Sequence, residues 1–152
     1  CRLEIQDRPG YGPMTDDNNL NDLMLNAAKS VLPDRDIKIM PPQAVSTACT
    51  DMGDISGVIP SIHSYAGGVV GTGHGNDFYI NDFETACLTN AKVQLSAIVL
   101  LLSERAKRAN EIIASKHTVF KSIKEYFNTI DSIAADIDAV EYGEDYIKIM
   151  KG

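Results

Sequence analysis

Apolar residues recur along this chain in two rhythms. Leu20, Leu23, Met24, Ala27, Ala28 and Val31 step by three and four, which places them on one face of a helix. Asp16, Asp17 and Asn18 offer capping side chains before it, and Pro33 prevents its continuation. A second helix is predicted after Asp82, a further capping residue. Cys87, Ala91, Leu95, Ile98 and Leu102 mark one face, and Val99, Leu100 and Leu101 widen it, so this helix should be mostly buried. Arg105, Lys107 and Arg108 fall near its C-terminal end, where the helix dipole favours positive charge. Phe120, Ile123, Phe127, Ile130, Ala134 and Ile137 predict a third amphipathic helix or a pair of helices. The other rhythm is alternation. It predicts short strands over residues 2–6, 37–40 and 58–66, with Pro60 at a start or an edge because a central strand needs its N–H. Helices alternating with short strands point to an α/β fold, helices layered on a mixed sheet.

Two segments interrupt these rhythms. Pro9-Gly10-Tyr11-Gly12-Pro13 reads as a linker, and Gly67, Gly68, Gly71, Gly73 and Gly75 form a glycine-rich loop. With 152 residues, 44% apolar and 23% charged, the composition is that of one globular domain rather than a disordered chain. The net charge of −7 argues against a basic nucleic-acid binder, because an acidic surface repels phosphate. No uncharged apolar run approaches the roughly 18 residues of a membrane span. The best, 93–102, contains Gln94 and Ser96 and is followed by Glu104 and Arg105, so no membrane association is expected. The first residue is Cys1 rather than Met, no secretory leader is seen, and the chain reads as a piece of a longer polypeptide. Cys1, Cys49 and Cys87 form no CxxC, which suits reduced thiols in a cytoplasmic protein. Six acidic residues and no basic one lie between 131 and 145, a solvated acidic face or a protein-docking tail.

Candidate chemistry gathers in two places. In Ser46-Thr47-Ala48-Cys49-Thr50-Asp51-Met52-Gly53-Asp54-Ile55-Ser56, two carboxylates three residues apart lie among hydroxyls. If a helix begins at Asp51, then Asp51 and Asp54 share a face near its N-terminus, and taken alone the simpler reading is an ordinary cap with a first-turn acid. In Gly71-Thr72-Gly73-His74-Gly75-Asn76-Asp77-Phe78, glycines on both sides leave an imidazole accessible, with Asp77 nearby to orient it or to meet a substrate. His63 reads as a core or rim residue and His117 as a surface one. No GxSxG elbow, HExxH or phosphate-binding glycine motif is present.

These two segments carry a resemblance. Thr50-Asp51-Met52-Gly53-Asp54-Ile55-Ser56 followed by Val58-Ile59-Pro60 resembles the S-T-D-x-G-D-V-S-x-V-x-P stretch of aminobenzoyl-glutamate utilisation hydrolases, members of the aminoacylase and zinc-carboxypeptidase superfamily of dinuclear metal amidohydrolases. Gly73-His74-Gly75-Asn76-Asp77-Phe78 is similar to their later H-x-x-[D/E]-[F/Y] segment. The resemblance implies the C-terminal part of a zinc-exopeptidase-like catalytic domain: residues 1–8 as the end strand of a lid-type domain, 9–13 as linker, 14–116 as catalytic-domain portion, and 117–152 as an acidic helical extension outside the match. It implies His74 as the last ligand of two divalent ions, zinc or manganese, and Asp51, Asp54 and Asp77 as substrate-side or outer carboxylates. The family's H-x-D motif, bridging aspartate and Glu-Glu pair do not occur in these residues, so one ligand at most is expected here and this chain alone should be inactive. The implied partners are a small amide or peptide substrate, the N-terminal part of the same enzyme and further copies in a homo-oligomer. The implied reaction is hydrolysis of an N-acyl amino acid, a dipeptide or aminobenzoyl-glutamate. A neutral imidazole is needed for ligation, so activity should fall in acid. The alternative is a non-catalytic binding or assembly module with an acidic helical tail.

Overall fold

The structure, a computed structural model, describes residues 4–40 and 50–149. In chain order the elements are β1 (Glu4–Asp7), α1 (Asn18–Val31), α2 (Met52–Ser56), β2 (Val69–Val70), β3 (Tyr79–Ile80), a π-helical turn (Glu84–Thr89) running into α3 (Asn90–Ala114), α4 (Ile123–Ile133), β4 (Ala135–Asp138), β5 (Val140–Tyr142) and β6 (Ile147–Ile149). The chain therefore mixes helices with short strands. The layered mixed sheet is not found among the described residues, where β1 pairs with β4, β2 with β3 and β5 with β6, each pair antiparallel and two-stranded.

α1 forms where the pattern places it. The Asp17 carboxylate accepts the Leu20 N–H at 3.0 Å, satisfying a donor that the first turn leaves open, and the helix stops at Val31 before Pro33. Its inward residues, Leu23 and Ala27, meet Val93, Ala97 and Ile112 of α3, and this is the core. Leu20, Met24, Ala28 and Val31 pack around it.

The long helix departs from expectation. Asp82 does cap its start, accepting the Thr85 N–H at 3.2 Å and the Thr85 hydroxyl at 2.5 Å. But the buried side is Val93 and Ala97, while Leu95, Val99 and Leu102 are 62%, 63% and 61% exposed. α1 is one helix with one narrow apolar face, and it covers only a strip of a neighbour that is apolar nearly all round. By length and composition the Glu84–Ala114 stretch is apolar enough to cross a membrane, a character that the short uncharged run 93–102 does not announce. Its backbone is interrupted. Ser103 is extended, and Glu104, Arg105 and Ala106 are left-handed, with φ of 51°, 60° and 58°. Left-handed backbone costs a non-glycine residue roughly 1–2 kcal/mol. The reversal turns the chain back so that Ile112 enters the core, and a cavity of about 350 Å³ lies beside it, lined by residues that include Leu23, Leu100, Ser103 and Lys107.

Three further expectations are corrected. Residues 37–40 form no strand, and Ile39 and Met40 are exposed; Ile37 and Ile62 are half-buried. Residues 58–66 form no strand either, because Val58 and Ile59 donate back to the Ile55 carbonyl in a turn and the Ser61 carbonyl accepts the Asp17 N–H at 2.9 Å. The run is consumed in holding the start of α1. The third helix ends at Ile133, short of Ile137, since residues 135–138 extend to pair with Glu4–Asp7. Arg8 locks that pairing, donating to the Ala135 carbonyl at 2.9 Å and bridging to Asp136. Among the described residues the acidic extension thus forms one helix and three strands. Its acids are partly answered locally, as where Glu141 meets Lys148 and the Tyr146 hydroxyl.

Candidate functional site

The glycine-rich loop spans residues 71–78 and joins β2 to β3 at the end of a hairpin in which Val70 faces Tyr79. Its shape comes from one carboxylate. Asp77 accepts the Thr72 N–H at 3.1 and 3.2 Å through its two oxygens and also takes the Thr72 hydroxyl at 3.2 Å. Gly75 N–H closes the turn onto the Thr72 carbonyl at 2.7 Å. Gly71 has a φ of 99°, and a Cβ there would strike the Asp77 carbonyl, so a side chain fails on both counts. Inside this clamp stands His74, exposed and left-handed with φ 63°, the conformation that lifts its side chain clear of the turn. The imidazole has no hydrogen-bond partner among the described residues. Asp77 is near in sequence but is spent on the loop rather than on the ring.

The second segment is built differently. Of 46–56, residues 46–49 lie outside the described residues. Thr50 caps α2 by accepting the Met52 N–H at 3.4 Å and donates to Asp51 at 3.2 Å, and Asp51 itself is exposed. Asp54 is half-buried and accepts the Gly12 N–H at 2.9 Å. The segment read as a linker is thereby laid along α2: Gly12 on Asp54, then the Thr15 N–H on the Ser56 hydroxyl at 3.0 Å, then Asp17 on Ser61. Gly53 allows the approach, because any Cβ there would collide with the Gly12 carbonyl. From the far side comes Tyr126 of α4, whose hydroxyl bonds to Asp54. Burial first, then the Asp54 charge and that bond, push the tyrosine above its ordinary value. Tyr126 also rests edge-on against Phe120, with ring centroids 5.5 Å apart.

Asp54 is therefore a junction of three segments, a role sequence did not reveal: Tyr126 lies 72 positions away and no local pattern links the two. No hydrogen bond or ion pair among the described residues joins Asp51 or Asp54 to residues 71–78. His63 is half-buried against the Tyr65 ring, 4.9 Å between centroids, and His117 is exposed, as expected. Cys87 is a half-buried free thiol, while Cys1 and Cys49 lie outside the described residues.

A catalytic zinc takes about three protein ligands, and among the described residues no group of three or more His, Cys, Asp and Glu side chains is placed to hold a cation. Two imidazoles are exposed among the described residues, those of His74 and His117. Comparison with protein-family models, with characterised proteins and with solved structures finds no match to this chain.

Proposed function

We propose that this chain supplies the last histidine ligand of a dinuclear metal amidohydrolase, the remaining ligands being carried by sequence beyond these residues. The fold under this reading is the C-terminal portion of a zinc-exopeptidase-like catalytic domain, and the substrate is a small N-acyl amino acid, a dipeptide or aminobenzoyl-glutamate. The observation that carries it is the His74 imidazole, held out on a carboxylate-clamped glycine loop that gives it no partner of its own. The two ordered motifs around Asp51 and His74 support the same reading. Two bound zinc or manganese ions would supply a metal-activated water and polarise the scissile carbonyl.

This chain's own contribution is positional. Asp77 fixes the loop through Thr72, so the ring meets a metal with little backbone freedom left to lose. Asp54 holds α2 against the Gly12 turn and α4, which sets where Asp51 faces a substrate. One imidazole cannot hold two ions, so the isolated 152 residues should not hydrolyse amides.

The test is His74→Ala in the polypeptide that carries the complete ligand set. One of the two metal ions should be lost, and turnover should fall by more than the roughly 10–100-fold that loss of an outer partner costs. Unchanged metal content and unchanged turnover would reject the assignment.

A further inference from the structure

We propose that two copies of this chain exchange their C-terminal arms, residues 107–149, by straightening the reversal at 103–106 into a continuous Glu84–Ala114 helix. The inference is independent of the metal reading and starts from a local conflict. Glu104, Arg105, Ala106 and Lys107 are strong helix formers, yet three of them are left-handed in succession. Such a disagreement between local preference and fold marks a point that the rest of the molecule holds in place.

What holds it lies in the arm. Ile112 is 3% exposed in the core, Asn19 donates to the Ser115 hydroxyl at 3.3 Å, the Phe120 N–H meets the Gly57 carbonyl at 2.8 Å, and β4 pairs with β1. Each joins the arm to the body across the hinge, and each forms equally well with the body of a second copy. A short strained hinge is the usual setting for such exchange.

Opposite substitutions at one hinge residue test this. Arg105→Val opposes left-handed backbone, because a β-branched residue is a severe outlier there, whereas Arg105→Gly makes the reversal free and weakens the straight helix. Light scattering after size exclusion, from micromolar to millimolar chain, should give a dimer dissociation constant at least about tenfold lower for Arg105→Val than for Arg105→Gly, with the unmodified chain between them. The route is read by a disulfide between Asn19→Cys and Ser115→Cys, in a chain whose native cysteines are serine. It should join two chains in the dimer and close within one chain in the monomer. Monomer at every concentration in both the unmodified chain and Arg105→Val overturns the proposal, as does equal association of the two variants or a dimer whose disulfide stays within each chain. If Arg105→Val does not fold, an Arg105→Gly chain that dimerises as readily as the unmodified one overturns it.

Discussion

α1 and the long helix over 84–114 pack against each other and could hardly differ more in how their sequences are used. α1 has one apolar face, a capping aspartate and a stop, and every part is matched: Leu23 and Ala27 are buried, the opposite side is exposed and the ends are satisfied. The long helix has apolar residues around most of its circumference; Val93, Ala97 and Ile112 are buried, Leu101 packs half-buried beside them, and much of the rest is bare. Amphipathic pattern tells which face turns inward only when the polar side is well defined. Where apolar residues run all round, the inward face is set by what the neighbour can reach, and α1 reaches a strip.

The largest expected effect tests the matched side. Leu23→Ala removes a side chain that is 4% exposed between the two helices and should cost about 3 kcal/mol in denaturant unfolding. If the loss is small, α1 is not anchored through that contact and the contrast between the helices fails. Next is Asp17→Ala, which takes away the acceptor for the Leu20 N–H and should cost about 1 kcal/mol by the same measurement. Asp17→Asn keeps an acceptor and should recover most of it.

Legibility in the sequence follows the range of the interactions. α1, its cap, the Asp82 cap and the short helix after Thr50 rest on contacts within four residues, and the pattern of side chains announces them. The strands do not. Residues 37–40 and 58–66 alternate as strands do, but alternation states a preference and a partner decides the outcome. The 58–66 run gives its Ser61 carbonyl to α1 instead, and residues 135–138, which continue a helical spacing, are drawn out by β1 at the other end of the chain. The candidate site divides the same way. The clamp of Asp77 on Thr72 spans five residues, and the glycines around His74 announced an accessible ring. The junction of Asp54 with Gly12 and Tyr126 joins segments 42 and 72 positions away, so the motif around Asp54 could be read as a motif but not as a hinge of the fold.

The unmatched side of the comparison predicts a much smaller change. Leu95→Ala, the same kind of truncation as at Leu23 but on the bare face, should alter the stability of the dilute chain by less than about 0.5 kcal/mol. A loss near that of Leu23→Ala would mean that the face is already covered in dilute solution.

The smallest effect separates the start of the long helix from its body. The bond from the Thr85 hydroxyl to Asp82, with the Thr85 N–H beside it, holds the Asp82 carboxyl below its ordinary value, against a smaller opposing effect of desolvation. A carboxylate whose value is lowered in the folded chain adds stability that is complete above the ordinary carboxylate range and disappears as pH falls through the lowered value. Acid titration should therefore unwind the turn at 84–89 before the core opens, seen as a small early loss of helical circular dichroism at constant near-ultraviolet signal. Asp82→Asn retains an acceptor for Thr85 but has no proton to gain, so that early phase should vanish while the later transition stays. If the early phase persists in Asp82→Asn, the acid-sensitive group lies elsewhere, and the two helices are alike in how they begin as well as different in how they pack.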